Sequence, residues 1–307
     1  MSRHFALSFA LAIIAATNAV PLAYAAESDA CRDIRLRYEA IRPQISAIEV
    51  SLTLFSAVDK NCIVVATRLL ASGASVDARD RFGARPLSHA ARFGHLPIVD
   101  LLLARGAPID ARNLAGATAL FFAVDGNHTT VAQRLIDGGA DVNLAGRSGV
   151  TPVSAAAYRG NDAIVESLLA HGADDRVPDR TGKTPMVYAA GSARVDVVAR
   201  LLKRDSDVNA RYPNDLTLLM WASGPDESAP EPQAIKVVQQ LLDAGARIND
   251  RDARGRTALM IAAEGGHAGI ANLLLARGAD PSLQDKAGKR AADLTQLTSL
   301  RERLAVP

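Results

Sequence analysis

The chain has 307 residues, a nearly balanced charge of 35 Lys and Arg against 33 Asp and Glu, and only 4% aromatic residues. That balance gives no electrostatic case for a nucleic-acid partner. Few aromatics and many alanines suit closely packed small helices better than a sandwich or a barrel.

The first expected element is a leader. Arg3 and His4 precede an uncharged run, residues 5–16, and Ala23-Tyr24-Ala25 places small residues at the −3 and −1 positions of a cut. A basic start, an apolar run of this length and an A-x-A site read as a secretory signal peptide, residues 1–25, cleaved after Ala25. An uncleaved anchor is the alternative. A membrane span needs about 20 apolar residues, and Thr17-Asn18 and Pro21 interrupt the run too early. No later stretch approaches that length, so the mature chain, residues 26–307, is expected to be soluble, exported and periplasmic.

Residues 26–46, interrupted by Pro43, are expected to form an N-terminal capping helix. The two cysteines, Cys31 and Cys62, both lie near the start of the mature chain. An even count in an exported protein admits one disulfide, which would tie the leading helix to the first unit behind it. The other reading is a pair of buried thiols.

From residue 47 the chain is periodic. "RFGARPLSHAARFGHLPIVDLLLARGAPIDAR" recurs as "LAGATALFFAVDGNHTTVAQRLIDGGADVNLA" and again as "RSGVTPVSAAAYRGNDAIVESLLAHGADDRVP". Gly83, Gly116, Gly149 and Gly182 are spaced by 33 residues, and Gly73, Gly106, Gly139 and Gly172 keep the same step. Within a unit, Thr151-Pro152 and Thr184-Pro185 put a capping hydroxyl before a proline at the first helical position. Alanine pairs such as Ala90-Ala91 allow close helix approach, Gly94-His95 opens a second helix, and "IVDLLL" at residues 98–103 has helical apolar spacing. A glycine such as Gly106 ends that helix at a left-handed position.

These residues resemble the ankyrin repeat, with its T-P-L-H-x-A and G-A-D-x-N signatures, over nearly the whole mature chain. The expected fold is an all-α repeat solenoid of stacked helix-turn-helix units with β-hairpin-like connecting loops. A leading unit at 47–79 has Cys62 at the Gly-His histidine position. Six repeats follow, at 80–112, 113–145, 146–178, 179–211, 212–251 and 252–284, and residues 285–307 form a C-terminal cap. One unit cannot bury its own apolar face, so the stack is expected to act as one solenoid.

Two departures fall in the C-terminal half. The fourth repeat has Asp205-Ser206 in place of Gly-Ala, and the fifth has Asp215 at the first glycine position. The fifth repeat also carries "GPDESAPEPQ", residues 224–233, between its helices. With three prolines and three acids, this insertion is expected to be non-helical and to project from the stack. It is either a tolerated surface loop or an element that contacts a partner.

No catalytic constellation is legible. His95, His128 and His267 fall at the Gly-His turns, His89 and His171 stand isolated in sequence, and neither H-E-x-x-H nor C-x-x-C occurs. No enzyme activity, cofactor or metal is expected; the remote alternative is an enzymatic site at residues 224–233. The resemblance implies docking on hairpin tips and on the first-helix face. There the candidate binding residues are Arg81, Phe82, Arg92, Phe93, Arg147, Tyr158, Arg159, Arg180 and Lys183, within a wider basic edge that includes Arg112, Arg211 and Arg251. Arginine and aromatics are enriched in interface hot spots, and the basic edge favours an acidic partner. The expected function is a monomeric, exported protein-binding module. It would serve as an adaptor or stabiliser of a periplasmic partner or, alternatively, as an immunity-type inhibitor of an exported toxin.

Overall fold

The structure, a computed structural model, describes residues 28–41, 46–146, 148–204, 207–227 and 229–305. The signal-peptide segment with its cut at Ala25, Pro43, Arg147 and Asp205-Ser206 lie outside the described residues.

Helix α1 (Asp29–Ile41) is followed by the leading pair, α2 (Ala47–Asp59) and α3 (Ile63–Ala71). Each repeat then contributes a pair: α4 (Pro86–Arg92) with α5 (Leu96–Ala104), α6 (Ala119–Asp125) with α7 (Thr129–Asp137), and α8 (Pro152–Arg159) with α9 (Asp162–Ala170). The series continues with α10 (Pro185–Gly191) and α11 (Val195–Leu202), α12 (Leu218–Ser223) and α13 (Glu231–Asp243), and α14 (Ala258–Glu264) and α15 (Ala268–Ala276). Helices α16 (Ala291–Leu294) and α17 (Thr298–Leu304) close the stack. First helices pack on first helices and second on second, giving two helical layers. No β-strand occurs among the described residues, and the hairpin-like loops hold only an isolated bridge between Tyr212 and Leu216.

Local chemistry explains the pairs. Thr118, Thr151, Thr217 and Thr257 each accept a hydrogen bond from a backbone N–H in the first turn of the following helix. Thr184, expected to do the same, makes no cap. Fully buried alanines, among them Ala90, Ala123, Ala156 and Ala189, let the first helices approach closely. Asp80 Oδ1 accepts from the backbone N–H groups of Phe82 and Ala84, both at 2.8 Å, and closes the first hairpin tip. Asn113, Asp179, Asp252 and Asp285 repeat this clasp. Successive tips are then joined backbone to backbone, as in Leu114 N–H to Phe82 C=O at 2.9 Å and Arg180 N–H to Ser148 C=O at 3.0 Å.

At the N-terminus, Cys31 in the first turn of α1 is joined by a disulfide to Cys62, the residue that caps α3, with Cα atoms 5.3 Å apart. At the other end, the polar-looking tail folds as α17 and buries Leu300 and Leu304.

The fifth repeat corrects one expectation. The insertion does not project as a non-helical loop, because Glu231, Pro232 and Gln233 form the first turn of α13 and extend it to 13 residues, against 9 in α5 or α9. Proline is compatible with a first turn, where no N–H partner is required, and an acid there suits the helix dipole. The preceding loop folds back on the stack. Asp226 N–H donates to Gly191 C=O at 2.9 Å, and Ser192 Oγ donates to Asp226 Oδ2 at 2.7 Å. Glu231 Oε1 accepts from Gly269 N–H at 2.9 Å, so the inserted segment is tied to both neighbouring repeats.

Candidate protein-binding face

The concave side is built from hairpin tips and the exposed edges of the first helices. Across the first four repeats it forms a groove of about 1050 Å3. Phe82, Leu114, Ser148 and Thr181 supply the tips, and His89, Arg92, Phe121 and Phe122 supply the floor. Phe82 and Leu114 are 56% and 78% exposed, which is unusual for large apolar side chains placed side by side.

The expected residues divide. Phe82, Arg92 and Arg180 line the groove, and Arg81 lies beside it with its guanidinium 4.6 Å from the centre of the Phe82 ring. Arg92 lies over Phe122 at 5.7 Å. Tyr158 and Lys183 belong to a second aromatic strip, where Tyr158 meets Tyr188 edge to face and Lys183 Nζ lies 4.8 Å from the Trp221 ring centre. Phe93 follows the last turn of α4, away from the groove lining, and stacks on His95. Arg159 also leans over Tyr158, but its charge is engaged by Asp125 at 2.9 Å. Arg147 lies outside the described residues.

The evenly basic edge is also revised. Arg112 donates to the carbonyls of Gly116 and Ala145, Arg211 to those of Asp215 and Arg251, and Arg251 to that of Gln284. These guanidiniums fasten one tip to the next and are not free for a partner. Arg81, Arg92 and Arg180 make no ion pair among the described residues, so their guanidinium charge is available at or beside the groove, which Asp80 also lines.

Sequence reading missed Phe121, Phe122, Tyr188 and Trp221, which look like ordinary core at helical spacing. Their register is the signal: His89, Phe122, Tyr188 and Trp221 occupy one position of the first, second, fourth and fifth repeats, on the concave edge of the first helix.

His89 is not isolated either. Its Nδ1 lies 2.7 Å from Asp59 Oδ1 on α2, and its Nε2 lies 3.2 Å from Asp80 Oδ2 at the tip. Burial alone would lower the His89 pKa, but hydrogen bonds and charge from Asp59, then from Asp80, outweigh it and hold the value above 6.5. A raised histidine pKa gives stability that is complete below the unfolded value near 6.5 and is lost as pH rises through the folded value. Denaturant melts of the wild type are therefore expected to lose up to about 1.4 kcal/mol per pH unit in that window. In His89→Phe, which copies the second repeat, this slope disappears. Equal slopes in the two proteins would remove His89 as the cause. The turn histidines are structural, since His95 and His128 reach the backbone carbonyls of Asp59 and Arg92 in the preceding units.

At the level of the face, the geometry offers electrostatic and apolar recognition. Among the described residues no group of three or more His, Cys, Asp or Glu side chains is placed to hold a metal ion, and no helix is long and apolar enough to cross a membrane.

Comparisons with known proteins agree with this architecture. The family model for ankyrin repeats in three copies matches residues 54–146 and 127–212, and that for ankyrin repeats in many copies matches residues 241–294. Ankyrin repeat domain-containing protein 63 of Homo sapiens is 40% identical over 82 residues, which cover 26% of this chain and 20% of that protein. The Mus musculus protein of the same name is 40% identical over 81 residues with the same coverage. The match thus spans about a fifth of the length of these curated relatives. The crystal structure of the human ASB11 ankyrin repeat domain is similar with a TM-score of 0.64 and 28% identity, covering 74% of this chain and 98% of that one.

Proposed function

Because the chain belongs to the ankyrin-repeat family, whose stacked units serve as protein-interaction modules, we propose that it is an exported adaptor or stabiliser that grips an acidic partner protein in the groove of its first four repeats. One observation carries this reading: Arg81, Arg92 and Arg180, without carboxylate partners among the described residues, surround the exposed Phe82 and Leu114. Guanidiniums beside exposed aromatic and aliphatic groups are the composition of interface hot spots. A preformed groove on a rigid stack binds with little ordering cost.

The exported part of this reading is supported by the leader-like residues 1–25 and by the Cys31–Cys62 bond, a kind of bond that persists in oxidising surroundings. At the insertion, Asp226 and Glu231 are engaged by Ser192 and Gly269, which favours a structural role there over an enzymatic one.

The test is capture from a periplasmic extract with the tagged mature protein and with a Phe82→Ala/Arg92→Ala/Arg180→Ala variant. One enriched protein is expected, with affinity for the variant lowered roughly 100-fold or more. Equal capture by both would place binding elsewhere on the molecule. Retained activity of the captured protein fits an adaptor; abolished activity would replace that role with an inhibitor's.

A further inference from the structure

The hairpin tips of the first and fourth repeats are closed in the same way and differ in one donor. Each has an aspartate, Asp80 or Asp179, whose Oδ1 accepts from two backbone N–H groups of its own tip, Phe82 and Ala84 or Thr181 and Lys183. Each aspartate turns its Oδ2 to a side chain on the first helix of its repeat. In the fourth repeat that side chain is Tyr188, whose Oη donates at 2.6 Å. Burial, then the bond to Asp179 and its charge, push the Tyr188 pKa up, so this donor keeps its proton throughout the physiological range. In the first repeat the side chain is His89, which can lose its donor.

His89 has a carboxylate at both ring nitrogens, Asp59 Oδ1 at 2.7 Å from Nδ1 and Asp80 Oδ2 at 3.2 Å from Nε2. Only the imidazolium can donate to both, since the neutral ring has one N–H and one lone pair. The shorter contact keeps the remaining proton, which leaves the Nε2 lone pair facing the Asp80 carboxylate. Asp59 and Asp80 are the charges that act on the ring. On α2, Glu49 belongs to the capping box at the far end of the helix, and Lys60, just beyond α2, is exposed. On α5 and α6, Asp100 and Asp125 are paired with Arg134 and Arg159, while His95 reaches the backbone carbonyl of Asp59. Arg92 lies over Phe122, Arg81 over Phe82, and Arg85 pairs with Asp77.

Resting on the protein-binding reading above and adding a regulation of that same face, we propose that His89 is a proton-operated clamp on the first tip. Charged, it fixes Asp80 and holds Phe82 at the groove. Neutral, it releases Asp80, and the two N–H bonds that close the tip weaken with it. The loosening is local, because Leu114 N–H still donates to Phe82 C=O at 2.9 Å and keeps the tip on the stack. The His89 proton is held above the ordinary value of 6.5, so the clamp is closed below that value and opens as pH rises through the folded one. The groove therefore presents Phe82 best in mildly acidic surroundings.

The experiment follows amide hydrogen exchange by NMR in the mature protein between about pH 5.5 and 8.5. Rates are expressed as protection factors, so that base catalysis of exchange cancels and local opening remains. Phe82 and Ala84 are expected to lose protection roughly 3- to 10-fold, as for one ordinary hydrogen bond, with the midpoint at which the His89 ring itself titrates. Thr181 and Lys183, in the same spectra, should stay constant. His89→Tyr copies the Tyr188 contact into the first tip and should hold Phe82 and Ala84 constant as well. Circular dichroism checks that this variant folds; if it does not, the two tips of the wild type decide alone. Constant protection at the first tip, an equal loss at both tips, or a loss that persists in folded His89→Tyr overturns the clamp. No partner enters these measurements, so their failure leaves the protein-binding groove standing, and failure of the capture test leaves the clamp standing.

Discussion

Reduction of the Cys31–Cys62 bond is expected to lower the melting temperature of the mature protein by roughly 6–10 °C and to release α1 from the stack. Helix α1 buries little besides Cys31 and Tyr38. Its ion pairs, Arg35 with Glu39 and Arg68 with Glu39, are both 3.3 Å long, at the surface, and worth only tenths of a kcal/mol. The bond closes a sequence separation of 31 residues. A loop of that size corresponds to about 3.5 kcal/mol in the chain-entropy description. Stability in a stacked array is a sum of neighbour terms, so the loss should concentrate in the leading unit, where α1 packs on α2 and α3. The check is thermal melting of the wild type with and without reductant, beside Cys31→Ala/Cys62→Ala. Identical melts would mean that α1 is held by other contacts, and two reactive thiols in denatured, unreduced protein would mean that the bond does not form.

How far the sequence carried the reading depends on how local the cause was. The periodic glycines, the threonine caps and the alanine pairs act within one unit, and the repeat and its helix pairs could be read from them. The insertion misled because Pro230 and Pro232 look like breakers unless the helix is known to start at Glu231, where they do no harm. The partners of His89 lie 30 and 9 residues away, and only the stacking of α4 on α2 brings Asp59 to it. The groove was harder still. Its floor residues Phe121 and Phe122 are indistinguishable from core by spacing. Its lining is drawn from four different repeats, and that shows only when equivalent positions are laid beside one another. That Arg112, Arg211 and Arg251 of the basic edge are tied down was not legible, because their acceptors include backbone carbonyls, which carry no mark in a sequence.

The largest single-site effect is expected at the tip of the fourth repeat. Gly182 has φ +82°, and a Cβ there would overlap Pro213 Cγ and lie 2.8 Å from its Cδ. Pro213 cannot easily retreat, since it begins a short 3-10 turn, Pro213–Asp215, in which Asn214 and Asp215 already adopt left-handed φ values of +65° and +58°. Gly172 provides the contrast: its φ is +86°, yet an added Cβ would meet nothing within 4 Å. Gly172→Ala therefore isolates backbone strain, about 1–2 kcal/mol for a left-handed L-residue. Gly182→Ala adds displacement of a packed ring and should cost about 3–4 kcal/mol in total. Urea denaturation of both variants measures the difference. In Gly182→Ala/Pro213→Ala the ring is gone, and the cost should fall back to that of Gly172→Ala, so the coupling between the two positions is about 2 kcal/mol. If Gly182→Ala and Gly172→Ala destabilise equally, the close approach of the fourth and fifth tips contributes nothing, and the glycine is required there for its φ alone.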